Sequence, residues 1–406
     1  MRSHNTIMRF LLLFVATLLL SSTQPLFAQV TGEDSLQQGT ANDRSTYISG
    51  YGEAKVSYDT RYANANANLT RVVVFIGHRF SKKVSFLSET ELENARVEGD
   101  EEGGEIALEQ AYLKFDINKN MSLQAGLFIP RIGIINENHL PTTFHGNDRP
   151  FTETLLIPST WREIGICLNG TSQKIQGLNY TIALVNGLNS AGFKNGSGIR
   201  EGRFEGSNAT ASNVALTGSL LYYYNDFRFQ VSGYYGGSVG LNKREADSLQ
   251  LDSGPFGTPV ALGEANIQYT HKRFAARLLA TWLQIVDAEK INRAYASNTA
   301  QTMLGGYAEV AYQVFPKQKI SAFVRYENMD LNYNIPENGI ENDILKKQYI
   351  SVGLTCLPVK GVAIKFDYVY RQTGGLNPVL NLNPFPNAPA YYTTNSFINL
   401  GFGYSF

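Results

Sequence analysis

Alternate residues along this chain are suited to two different surroundings. Ile364, Phe366, Tyr368 and Tyr370 are apolar or aromatic, and between them stand Lys365, Asp367 and, after Val369, Arg371. Ile320, Ala322, Val324 and Tyr326 alternate with Ser321, Phe323, Arg325 and Glu327 in the same way. Phe227, Phe229, Val231 and Gly233 alternate with Arg228, Gln230 and Ser232. A period of two residues is the mark of a β-strand. A face carrying full charges cannot point into a hydrocarbon-like core. The pattern fits a wall with lipid on one side and water on the other.

This reading predicts 16 strands, at 46–58, 69–80, 83–94, 106–117, 121–129, 161–170, 177–186, 213–224, 227–237, 261–270, 273–285, 302–315, 318–328, 348–357, 361–371 and 394–406. The connections alternate strictly between short and long. Short ones include Ser81-Lys82, Asn225-Asp226, His271-Lys272 and Pro316-Lys317; long ones run 59–68, 95–105, 130–160, 187–212, 238–260, 286–301, 329–347 and 372–393. A meander inserted from one side of a membrane has this asymmetry, with tight periplasmic turns and longer extracellular loops. The expected fold is all-β: a transmembrane, antiparallel, up-and-down β-barrel occupying 46–406, multi-pass in the outer membrane of a Gram-negative cell, with both termini in the periplasm.

The two ends agree with a secreted barrel. Arg2 and Arg9 flank a short polar start, an apolar run interrupted only by Thr17 follows from Phe10 to Leu20, and Ala28 offers a small residue before Gln29. This is the order of a signal peptide over 1–28, and the run is too short to cross a bilayer as a helix. Residues 29–45 read as a polar periplasmic leader. Read back from Phe406, Tyr404, Phe402, Leu400 and Ile398 alternate with Ser405, Gly403, Gly401 and Asn399. Such a Phe-terminated strand is expected to be read by the barrel-insertion machinery through Phe406. Tyr and Phe number 23 each, Gly 37, and charged residues make up only 17%, a composition suited to barrel walls and their aromatic girdles. Basic and acidic residues balance at 35 each, and removal of Arg2 and Arg9 leaves the remainder slightly acidic. That excludes a general nucleic-acid binder.

The longest connection, 130–160, mixes Ile132, Ile134, Ile135, Phe144, Phe151, Leu155, Leu156 and Ile157 with polar residues. A long connection without elements of its own is usually functional. An apolar one is expected to fold back into the lumen and pack on the inner wall. It would be the third extracellular loop, with Arg131, Glu137, Asp148, Arg149 and Glu153 setting the field at the constriction. The stretch Gly133-Ile134-Ile135-Asn136-Glu137, then Pro141, Phe144, Gly146, Arg149-Pro150 and Ile157-Pro158-Ser159-Thr160-Trp161-Arg162-Glu163 resembles porins of the Bacteroidota, distant relatives of the phosphate-selective porin O and P family. The resemblance implies a 16-stranded, homotrimeric porin with an inward third loop. It does not carry phosphate selectivity, because the loop has no Lys and its Arg131, Arg149 and nearby Arg162 are matched by Glu137, Asp148, Glu153 and Glu163.

Pore-lining positions are read from the charged face: Glu89, Glu91, Arg228, Arg277, Arg325, Glu327, Lys365, Asp367 and Arg371. Glu89, Glu91 and Glu93 share a face, with Arg71 and Arg79 of the preceding strand as expected partners. Glu98, Asp100, Glu101, Glu102 and Glu105 crowd the second long loop, where a solvated tip is the plain reading and a divalent-cation bridge to lipopolysaccharide the sharper one. His139 and His145 with Glu137 fit no zinc spacing and read as structural or solvated, so no metal, cofactor or catalytic residue is expected. Cys167 should face inward and Cys356 outward, which excludes a disulfide between them. With only five His, one of them in the signal peptide, the chain lacks a convincing set for a barrel enzyme. The expected function is that of an outer-membrane porin admitting small hydrophilic solutes or ions by passive diffusion; the alternative is a surface receptor or adhesin acting through its loops. The solute is not legible.

Overall fold

The computed structural model describes residues 45–94, 104–380 and 390–406. The signal-peptide stretch 1–28, all of the leader except Ser45, and most of the acidic cluster of the second long loop lie outside the described residues. Sixteen strands form a closed barrel in which each pairs with its neighbours in sequence and β16 returns to β1. They are β1 (Ser45–Asp59), β2 (Asn64–Ser81), β3 (Val84–Glu93), β4 (Glu105–Asn118), β5 (Met121–Phe128), β6 (Glu163–Thr171), β7 (Leu178–Asn186) and β8 (Val214–Tyr224). The second half comprises β9 (Phe227–Gly236), β10 (Val260–His271), β11 (Phe274–Ile285), β12 (Thr302–Phe315), β13 (Ile320–Asn334), β14 (Lys346–Cys356), β15 (Val362–Thr373) and β16 (Thr394–Ser405). All the pairings are antiparallel; the closing one runs from Tyr51 opposite Ser405 to Asp59 opposite Phe397. Beyond that ladder, Gly50 and Phe406 exchange backbone hydrogen bonds of 3.1 and 2.9 Å.

The alternation sorts as the sequence requires. Ile364 is 48% exposed and Phe366 47%, whereas Lys365 between them is 2% exposed. Ile398, Leu400 and Phe402 are exposed in the same manner, and Asn399 is buried. Closure satisfies the strand backbones without any open edge, the condition for crossing hydrocarbon. Phe366→Arg should therefore destabilise the barrel by about 2–4 kcal/mol, the cost of a cation on the lipid face near mid-membrane. Urea unfolding in lipid vesicles measures it; an unchanged midpoint would reverse the face assignment.

Two boundaries differ from expectation by more than two residues. β2 begins at Asn64, so the first long connection contracts to 60–63, and β13 continues through Asn328 to Asn334. Both extensions are rich in Asn, which strands disfavour by propensity, yet each is held by pairing: Asn64 to Asn68 stand opposite Asp59 to Lys55. Cys167 is buried and Cys356 partly exposed, and neither is bridged. Thr70 has no direct partner in the β1–β2 register, and Glu109 has none in the β3–β4 register. Each is a β-bulge, one extra residue on one strand of the pair.

Candidate functional site

The connection from β5 to β6, residues 129–162, lies against the inward faces of distant strands. Its Ile132, Ile134, Leu156, Ile157 and Trp161 are buried in one apolar cluster with wall residues such as Tyr234, Leu279 and Tyr307. The Glu153 carboxylate organises it. One oxygen accepts the backbone N–H groups of Ile134 and Ile135 at 2.6 and 2.8 Å, and the other accepts the Tyr307 hydroxyl at 2.7 Å. Burial raises the Glu153 carboxyl above its usual range, against the pull of those donors. Gly133 needs its positive φ of 82°, and a Cβ there would lie 2.6 Å from a Glu153 oxygen.

The wall then holds the loop at many points. Gln230 of β9 donates to the Gly133 carbonyl at 3.2 Å, and Arg277 of β11 to the Thr143 carbonyl at 2.7 Å. Arg325 of β13 pairs with Glu309 and Glu327 at 3.2 and 3.0 Å, and also donates to the carbonyls of His145 and Asp148, each at 3.2 Å. Glu327 accepts the N–H and hydroxyl of Thr152 at 2.8 and 3.1 Å, capping the short helix Thr152–Leu155. A carboxylate at the N-terminal end of a helical turn satisfies otherwise orphaned donors. Asp367 of β15 accepts the Asn147 backbone N–H at 2.7 Å, and Lys365 sits 3.6 Å over the Phe144 ring. His145 stacks on Phe323 at 5.4 Å. Burial presses its imidazole down to about 4, with Arg277, Lys365 and Arg325 adding to the effect and Glu309 opposing it.

The loop thus covers the half of the inner wall formed by β9 to β16. Along the other half lie two cavities that share no lining residue. The cavity toward the long-loop rim, about 450 Å³, is lined by Lys55, Arg71, Glu91, Asp148, Arg149 and Arg162 among others. The cavity toward the short-turn rim, about 680 Å³, is lined by Tyr51, Glu89, Arg131, Glu137 and His139 among others. Between them sits a charged belt. Arg71 pairs with Glu53 at 2.8 Å and Glu91 at 3.2 Å, Glu89 meets His139 at 3.1 Å, and Tyr51 donates to Glu109 at 3.3 Å. Arg149 is buried beside this belt; burial, with Arg71 close by, draws its guanidinium below the ordinary arginine range.

The sequence-derived residues fall into separate groups. Arg149 and Asp148 line the upper cavity, Asp148 paired with Lys55. Arg131 and Glu137 line the lower one, Glu137 paired with Arg228. Glu153 differs from expectation: it is 1% exposed and turned into the loop, so it holds the loop and faces no passage. Arg325, Glu327, Lys365 and Asp367 do point inward but lie under the loop, and not one of them borders either larger cavity. Arg277 likewise reaches the loop, and Arg371 lies 5.5 Å over the Phe397 ring. Glu91 takes Arg71 as expected, while Arg79 stands opposite Ser85, away from the carboxylate row.

Glu109 was missed. The β4 bulge turns both Glu109 and Gln110 inward, breaking the period of two that picked out the other lining residues. The polar doublet Glu109-Gln110 between Leu108 and Ala111 is the signal that could have found it.

A closed, multi-pass, 16-strand barrel of the outer-membrane type, with a long connection packed inside, defines a porin-like protein. Its solved structural neighbours are of that kind. The outer membrane channel DcaP of Acinetobacter baumannii superimposes with a TM-score of 0.57 at 12% identity, covering 89% of this chain and 97% of that one. Salmonella typhi OmpF gives a TM-score of 0.55 at 13% identity, covering 90% and 98%. The anion-selective porin from Comamonas acidovorans gives 0.52 at 10%, covering 89% and 100%. In sequence, an uncharacterized protein of Aquifex aeolicus is 29% identical over 338 residues, spanning 79% of this chain and 74% of its own length. No family model matches the chain.

Proposed function

We propose that this protein is an outer-membrane porin through which small hydrophilic solutes or ions diffuse passively, and that it is not an enzyme. The observation that carries the reading is the one-sided packing of the loop. It leaves cavities of about 450 and 680 Å³ toward opposite rims, with the belt of Tyr51, Arg71, Glu91, Glu109, His139 and Arg149 between them. A wide barrel needs such a narrowing if it is to discriminate solutes. The constriction is assigned to this belt, with His139 and Arg149 its contributions from the loop and Asp148 at its upper edge. Charges of both signs around the passage favour polar solutes without committing the channel to one ion.

The finer features belong to the same reading. Residues 1–28 would leave as a signal peptide and 29–45 would remain as a periplasmic leader. The loop pattern's likeness to Bacteroidota porins supports a homotrimer, and the lack of Lys in the loop argues against phosphate selectivity. Phe406 is 72% exposed, which supports its recognition by the insertion machinery. The acidic second loop would meet lipopolysaccharide through divalent cations.

Planar-bilayer recording of the refolded barrel tests the function: discrete conductance steps are expected, and their absence from correctly folded protein would overturn it. Reversal potentials in a salt gradient test the belt. Arg149→Glu should move the reversal potential toward cation preference, and Arg149→Lys should leave it near wild type. Identical potentials for all three would remove Arg149 from the constriction.

A further inference from the structure

We propose that Glu89, Glu109 and His139 form a binding site for a divalent metal ion of the zinc type, which ties the inward loop to β3 and β4. One atom from each of the three residues can be chosen so that all lie within 4.8 Å of one another. His139 Nε2 is 3.1 Å from a Glu89 oxygen and 3.9 Å from a Glu109 oxygen. Ligands about 2.0–2.2 Å from zinc at tetrahedral angles stand roughly 3.3–3.6 Å apart, so the observed spacings bracket what the ion requires. One imidazole with two carboxylates suits a borderline metal better than calcium or magnesium, which take oxygen ligands.

Three further features set this cluster apart from a chance gathering of acids. Glu109 is 0% exposed and one of its oxygens has no hydrogen-bond partner. A buried carboxylate oxygen left unsatisfied is costly. Glu109 is also the unmatched residue of the β4 bulge, and bulges re-aim side chains at functional sites. Finally, Glu53, Glu89, Glu91 and Glu109 outnumber Arg71 and Arg149, the guanidinium groups beside them. A divalent cation would restore the balance without a protonated imidazole. No spacing motif announces the site, because its ligands come from two strands and a loop.

Titration of the chelator-treated, folded barrel with zinc chloride in a calorimeter tests the proposal without relying on conductance. Wild type should bind one zinc ion per chain. Glu109→Gln and His139→Gln, which keep the size of the side chain or fill its space, should each weaken binding by more than about tenfold, the loss that even outer-shell changes produce at metal sites. His271→Ala, whose imidazole pairs with Asp226 at 2.7 Å beside a turn, should bind as wild type. Heat-modifiable migration on gels confirms that each variant is folded. No stoichiometric binding by wild type, equal binding by the two ligand variants, or a preference for calcium chloride that ignores His139→Gln would each overturn the site.

Discussion

Excision of residues 139–153 will raise single-channel conductance several-fold and enlarge the solute size limit. The segment includes the part of the loop that crosses in front of β11 to β15, where Arg277, Arg325, Glu327 and Asp367 hold Thr143, His145, Asn147, Asp148 and Thr152. Removing it also removes Arg149 and His139 from the belt. The deletion leaves several charged wall residues without loop partners, but it admits water to them at the same time. A charge stranded in a dry site is what makes broken buried pairs expensive; here the site becomes wet. The closed backbone ladder is untouched, so the barrel should persist. Conductance and exclusion of polyethylene glycols of graded size are the measurements. If both stay at wild-type values, the loop does not obstruct the passage and the constriction lies elsewhere.

Arg325→Ala should have the largest effect of any single substitution on the docking of the loop. Arg325 is 1% exposed, and its guanidinium meets two carboxylates and two loop carbonyls. Truncation leaves Glu327 buried without its cation and Glu309 with only Arg277 at 3.9 Å; breaking a buried pair from one side costs about 3–5 kcal/mol. The penalty can be relieved by releasing the loop and letting water in. The expected result is proteolytic cleavage within 139–153 under conditions where the wild-type loop is resistant, with the barrel still resistant to unfolding. Arg325→Lys retains the charge but not the planar fork that reaches all four partners, so it should fall between. A protected loop in Arg325→Ala would show that the other wall contacts, those of Gln230, Arg277, Tyr307 and Asp367 among them, hold the loop without Arg325.

The barrel was legible because its wall is a two-sided object. Each strand announces its two faces in a period of two residues, and the alternation of connection lengths fixes the parity. What escaped was what the period cannot encode. β13 runs to Asn334 because pairing with β12 outweighs the poor strand propensity of its asparagines. Glu109 escaped because a bulge shifts the phase in the middle of β4. The loop's acids looked alike in sequence, yet Asp148 borders a cavity while Glu153 binds backbone amides inside the loop. That distinction depends on the loop's own fold, which is irregular and has no repeat to read. Arg325, Glu327, Lys365 and Asp367 were rightly placed on the inner face. Their burial depends on which half of the wall the loop covers, and no local pattern records that.

The pairing of β1 with β16 has a kinetic consequence. Every other ladder joins sequence neighbours, so it closes a far shorter loop at smaller entropic cost and can form in chain order. β1 must wait for a strand nearly the whole chain away. Until then its free edge offers unpaired backbone groups to any other extended chain, the usual route to aggregation. Seam closure is therefore the late, slow event of assembly, and holding that edge apart from other copies is the service this chain most needs from whatever accompanies it to the membrane.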